Sequence, residues 1–168
     1  MELVSSDTAL RPVHRVAKEL AASSGFLLAT LGTSFKAKAI ARLEQEGFEA
    51  HQYSVLAILA EGTREAQSTI AEALGIDPSR LVALIDSLEE RGLVARQRDT
   101  QDRRRYTVSI TPDGKRQLQR LRTVVGKLED ELLASLSPED RETFHRLLLR
   151  LAASHDPRFD LASEQPSS

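Results

Sequence analysis

The stretch STIAEALGIDPSRLVALIDSLEERGLVARQRDTQDRRRYTVSIT, residues 68–111, decides how the chain is read. Ile70, Ala71 and Leu74 place apolar groups on one side of a two-turn helix, and Gly75 closes it. Asp77-Pro78 then starts a second helix, with Asp as the capping residue and Pro in the first helical position. Leu81, Leu84, Ile85 and Leu88 recur at helical spacing and define its inner face. Ser79, Arg80, Val82, Ala83 and Asp86 are left on the outer face. Leu93 to Arg98 and Arg103 to Ile110 follow as strands, and in the second Tyr106, Val108 and Ile110 alternate with Arg105, Thr107 and Ser109. Asp99 to Asp102 is the turn between them. Two short helices and a basic two-stranded ribbon are therefore expected.

The charge is local. Between Arg91 and Arg105 six arginines (91, 96, 98, 103, 104, 105) face two aspartates (99, 102), a net +4 in a chain whose formal charge is −2. A basic patch set against the overall sign points to a polyanionic partner. The helix before the ribbon carries short side chains beside Arg80, so its axis can approach base edges in a groove about 12 Å wide. Arginines at a hairpin tip suit the narrow minor groove, where the negative potential is concentrated. Duplex DNA is the expected partner.

The rest of the chain reads as helix. Asp7 or Thr8 can cap an N-terminal helix carrying Val13, Val16, Ala17, Leu20 and Ala21, in an extension spanning 1–24. Phe26 to Glu46 forms a long helix ended by Gly47, and Ala50 to Ala60 another, with Tyr53, Leu56, Ala57 and Ala60 inward. Thr63 to Glu65 is a connector. Thr111-Pro112-Asp113-Gly114 opens a long helix whose stripe is Leu118, Leu121, Val125, Leu128, Leu132 and Leu136. Ser137-Pro138 caps a last helix bearing Phe144, Leu147, Leu148 and Leu151, and residues 155–168 read as a flexible tail. The expected fold class is mostly α with a small β-hairpin wing. It has a helical dimerisation region at 26–46 and 112–153 and a DNA-binding domain at 50–111.

Composition narrows the function further. The absence of cysteine excludes thiolate metal sites, cysteine nucleophiles and thiol-based sensing. No apolar run approaches the ~18–20 residues that span a bilayer, and the N-terminus lacks a signal pattern, so a cytoplasmic protein without membrane contact is expected. No Ser-His-Asp set, phosphate loop, metalloprotease motif or dinucleotide glycine pattern is present, so no enzyme and no cofactor is expected. His14, His145 and His155 have no i, i+4 partner of ligand type beyond acidic residues, and no metal ligand set is assigned.

These residues resemble the multiple-antibiotic-resistance regulator (MarR) family of bacterial winged helix-turn-helix repressors. The likeness covers about 26–151. It rests on Gly47-Phe48-Glu49-Ala50-His51-Gln52-Tyr53, on Thr69 to Ile76, and on Leu88-Glu89-Glu90-Arg91-Gly92-Leu93-Val94. Most specific is Arg98-x-x-x-Asp102-x-Arg104 followed by Thr111-Pro112-Asp113-Gly114. The resemblance implies a homodimer whose terminal helices interlock and whose winged domains face successive major grooves of a pseudo-palindromic operator, about 34–36 Å apart. The leucine stripes agree, being more than a lone winged domain covers.

By position, Pro78, Ser79, Arg80, Val82 and Ala83 would face the major groove. Arg104, flanked by Arg103 and Arg105, would enter the minor groove, with Asp102 holding the arginines and Arg98 supporting the wing or touching a phosphate. The family also implies an effector pocket, with Phe26, Phe35, His51, Tyr53 and Arg64 as candidates for a small aromatic or anionic ligand. A metal-responsive regulator and a winged-helix protein-interaction module are the alternatives. The chain departs from the family in its N-terminal extension and in having Pro78, Val82 and Ala83 where serines and threonines are frequent. Base readout then leans on Arg80, thymine-methyl contacts and DNA shape.

Overall fold

The computed structural model describes residues 15–62, 65–98 and 106–159. The chain divides into two compact units, Met1–Ser34 and Phe35–Ser168. In the first lie α1 (Lys18–Ala21) and the N-terminal half of α2 (Ser24–Gln45). The expected break at Ser23 to Gly25 falls at Ala22 and Ser23, the Ser23 Oγ accepting the Phe26 N–H at 3.2 Å, while Ser24 and Gly25 are already helical. Val16, Leu20, Leu27, Leu28 and Leu31 are all exposed in this unit.

The second unit continues from the end of α2 through α3 (Ala50–Glu61), β1 (Glu65–Ala66), α4 (Gln67–Leu74) and α5 (Pro78–Glu90). There follow β2 (Val94–Arg98), β3 (Tyr106–Ile110), α6 (Pro112–Leu132), α7 (Pro138–His155) and a 3-10 turn, Pro157–Phe159. Local chemistry sets most of these boundaries. Pro78, Pro112 and Pro138 each occupy the start of a helix where no N–H is needed, behind Asp77, Thr111 and Ser137, whose side chains accept backbone N–H bonds. Gly75 and Gly92, at φ 62° and 69°, end α4 and α5 in the same way. The glycine N–H bonds the carbonyl three residues back, and the next N–H bonds the carbonyl five back (Ile76 to Ala71, Leu93 to Leu88). Only a left-handed residue turns the chain so that both bonds close.

The sheet is antiparallel, in the order β1-β3-β2. The expected ribbon is its β2-β3 part, paired from Val94↔Ile110 to Arg98↔Tyr106. The third strand, β1, takes Glu65 from the expected connector and Ala66 from the start of the stretch that follows it. Its two residues pair with Val108 and Thr107, a contact that no local period could announce. Val108 is fully buried between these strands and the helices.

One core joins Leu43 and Phe48 to the inner faces of α3, α4, α5 and α6 and to Leu93, Val94 and Val108. Leu81, Leu84, Ile85 and Leu88 are all buried, as their spacing requires. In α3 the expected inward set shifts. Leu56 is buried, but the other fully enclosed residues are Val55, Leu59 and Gln52, while Tyr53, Ala57 and Ala60 are half-buried at the core's margin. This helix packs against α4, α5, α6 and β3, and apolar residues on nearly every side of it leave no single stripe to set its phase. In α6 the stripe is buried at Leu118, Leu121 and Leu128, and Leu132 is exposed. Leu136 lies beyond the helix end.

Within the stretch expected as tail, His155 ends α7 and Pro157–Phe159 form the 3-10 turn, and the residues after Phe159 lie outside the described ones. Arg158 pairs with Asp156 and donates from Nη1 to the Ala73 carbonyl at 3.1 Å, near the C-terminus of α4.

Candidate nucleic-acid interface

The outer face of α5 is assembled by the same spacing that buries its inner face. With Leu81, Leu84, Ile85 and Leu88 in the core, Pro78, Ser79, Arg80, Val82 and Ala83 are all solvent-exposed. Four of the five side chains are short, so nothing among them prevents the helix axis from approaching a groove floor. Ser79 is already occupied as a donor: its Oγ–H bonds Asp77 Oδ1 at 2.5 Å, and its N–H bonds the same oxygen at 2.8 Å. These bonds hold the Asp77 carboxyl below its ordinary range, the side-chain bond contributing most. With its O–H given to Asp77, Ser79 Oγ is left with acceptor capacity only. Arg80 is the one long donor on this face, and its Nη2 lies 3.0 Å from Glu49 Oε2.

Of the six arginines counted in the basic patch, the structure describes three, and two of them serve the protein itself. Arg91 lies over the Phe48 ring, 3.8 Å from its centroid, and donates to the Gly47 carbonyl at 3.0 Å. Arg96 is a clamp between β2 and α5. Its side chain is only 19% exposed. It pairs with Asp86 and with Glu89 (3.3 Å), donates from Nη2 to the Val82 carbonyl at 3.2 Å, and its backbone N–H bonds Glu89 Oε1 at 3.0 Å. Its Nε is buried with no partner among the described residues. The clamp ties α5 to β2 through side-chain and backbone bonds.

Arg98 ends β2 with its side chain in solvent, 5.9 Å from the centroid of the Tyr106 ring opposite, within cation–π range. Asp102, Arg103, Arg104 and Arg105 lie outside the described residues, as does Arg64.

The other effector candidates are Phe26 in the first unit and Phe35, His51 and Tyr53 in the second. Each is half-buried, and Tyr53 packs on the core. None of them lines the cleft of about 90 Å³ found beside α5, whose walls are Glu49, Gln52, Arg80, Ala83, Leu84 and Ser87. Among the described residues no three His, Cys, Asp or Glu side chains group to hold a metal. No described helix is long and apolar enough to cross a membrane.

The sequence placed Asp86 on the outer face of α5 and counted Arg96 in the basic patch without pairing them, and assigned Glu49 no part in this surface. A signal for that pairing was present, since Asp86 and Glu89, one turn apart beside an arginine-rich strand, offer a paired acceptor. Glu49 gave no such signal, because its partner lies 31 residues away.

Comparison with known proteins agrees with this geometry. Residues 49–106, from the start of α3 to the first residue of β3, match the MarR family model. A Thauera aromatica protein proposed to regulate transcription of the hcr operon is 36% identical over 106 residues, 63% of this chain and 64% of that one. The match thus spans under two thirds of that relative's length. A MarR-family transcriptional regulator from Rhodococcus sp. RHA1 is 28% identical, with 81% of this chain and 96% of that one superposed at a TM-score of 0.68. CouR from Rhodococcus jostii RHA1, solved with p-coumaroyl-CoA bound, is 29% identical over the same shares, at a TM-score of 0.65. The helix-turn-helix, the strand β2 behind it and the Arg96 clamp between them all lie within residues 49–106, the stretch that matches the MarR family model.

Proposed function

We propose that the chain is a homodimeric, sequence-specific regulator of transcription that binds duplex DNA, a repressor whose hold on a pseudo-palindromic operator is relieved by a small-molecule effector. The observation that carries this reading is the exposed face of α5, with short side chains around Arg80, clamped through Arg96 to an arginine-bearing wing. Pro78, Ser79, Arg80, Val82 and Ala83 would meet the major groove. Arg98, Arg103, Arg104 and Arg105, ordered by Asp102, would meet phosphates and the minor groove.

Dimerisation is supported by apolar side chains left in solvent: Leu27, Leu28 and Leu31 in the first unit, Leu132, Leu147 and Leu151 in the second. Such a set is ordinarily covered by a partner. Two-fold symmetry then places two reader helices on half-sites about one helical turn apart. That CouR holds an acyl-CoA supports a small-molecule effector here.

Selection of random duplexes by the purified full-length chain tests the reading. The expected product is a pseudo-palindrome bound with a salt dependence that steepens by about 0.9 per phosphate contact. Recovery of no preferred sequence would refute it and leave a protein-binding use of the wing.

A further inference from the structure

Glu49 precedes the first turn of α3, outside the helix-turn-helix, yet its carboxylate reaches the reader helix. Oε2 accepts from Arg80 Nη2 at 3.0 Å. The position of that carboxylate is itself determined. Gln52, only 5% exposed, accepts the Glu49 N–H on Oε1 at 3.0 Å and donates from Nε2 to Ser87 Oγ on α5 at 3.1 Å. The start of α3 is thereby stitched to α5 through one buried amide, and Glu49 is presented at the rim of the cleft beside Arg80.

We propose that Glu49 is a specificity-determining positioning residue, holding Arg80 for base readout and opposing sequence-independent contact with phosphates; this rests on the DNA-binding reading above. A guanidinium has five N–H donors in a rigid fork. The bond to Glu49 is made through Nη2, so other N–H groups stay available to guanine O6 and N7. Without the carboxylate, an arginine more than half exposed would sweep solvent and settle on whichever phosphate lay nearest. The carboxylate also places a negative charge at the groove edge, which weakens binding to every sequence alike. Both partners are well exposed, at 54% and 57%, so the bias is modest, about fivefold at most.

The experiment uses the full-length chain with Glu49→Gln, Arg80→Ala and the double variant. Each is taken through duplex selection and titrated on the best selected duplex and on a scrambled duplex of equal composition. Glu49→Gln is expected to bind the scrambled duplex about two- to fivefold more tightly, and to lose discrimination at one position per half-site. In the Arg80→Ala background the same change is expected to leave base preference unaltered. Glu49→Ser, which keeps a capping oxygen for α3, should reproduce the Glu49→Gln pattern and guards against a folding defect. A wild-type chain with no sequence preference overturns the DNA reading and this role together. A wild-type chain with preference, and a Glu49→Gln variant with the same specific-to-scrambled ratio, overturns the role of Glu49 alone. A change of equal size in the specific-to-scrambled ratio without Arg80 overturns it too.

Discussion

Replacing Gly114 by alanine should destabilise the protein, although Gly→Ala inside a helix ordinarily stabilises. Gly114 lies in the first turn of α6 where that helix crosses the chain leaving α5. A Cβ built there meets the Leu93 carbonyl oxygen at 2.0 Å and Ile110 Cγ1 at 2.7 Å. Real Cβ contacts essentially never fall below 3.0 Å, so α6 must retreat by about 1 Å from a backbone atom. Retreat stretches two bonds that fasten this corner, Thr111 N–H to the Leu93 carbonyl (3.1 Å) and Thr111 Oγ1 to the Gly92 carbonyl (2.7 Å).

Overpacking costs about 1–3 kcal/mol. The two bonds add about 0.5–1.5 kcal/mol each if lost. The better helix propensity of alanine offsets up to about 1 kcal/mol. The net loss is about 1–6 kcal/mol, which lowers Tm by roughly 2–24 °C for a chain of this length. Denaturant unfolding at fixed protomer concentration, with an unchanged m-value, measures it. Gly126, in the same helix, has nothing within 4 Å of the added Cβ, and Gly126→Ala should raise stability by up to about 1 kcal/mol. Equal effects at the two glycines, or a stabilised Gly114→Ala, would refute the reasoning.

Arg96→Met removes the clamp while leaving apolar bulk. Asp86 and Glu89 remain partly solvated, so the stability loss is held to about 1–2 kcal/mol. Operator affinity should fall with an unchanged salt slope, since no phosphate contact disappears; a shallower slope would make Arg96 a DNA contact. Asp77 has its carboxyl held below the ordinary 3.8 by Ser79. It therefore contributes stability that is complete above that value and is lost as pH falls through the lower, folded-state value. The stability advantage of wild type over Asp77→Asn should be constant above about pH 5 and shrink as pH falls below 3.8, as followed by urea unfolding, and a constant difference down to low pH would count against this cap. Arg104→Ala should cut operator affinity severely with no change in Tm, read by fluorescence anisotropy on the selected duplex, and unchanged affinity would remove the wing from the interface.

Much of this fold was legible because its signals are local. Asp77-Pro78, Thr111-Pro112 and Ser137-Pro138 start helices because an acceptor side chain and a residue without an N–H satisfy the same orphaned turn, whatever lies nearby. The spacing of Leu81, Leu84, Ile85 and Leu88 determines which face of α5 is buried, and so which five residues a groove could meet. Tertiary structure decided what depends on a distant segment arriving. Glu65 and Ala66 are a strand only because β3 lies beside them. α3 found its phase only when several elements closed around it.

The arginines divide the same way. The sequence by itself determined that positive charge concentrates on the ribbon; the fold decided that Arg91 stacks on Phe48, Arg96 locks to Asp86 and Glu89, and Arg80 meets Glu49. A helix cap or a glycine turn is chosen by bonds within a few residues. A guanidinium reaches far enough to choose among acceptors that only the folded chain brings near.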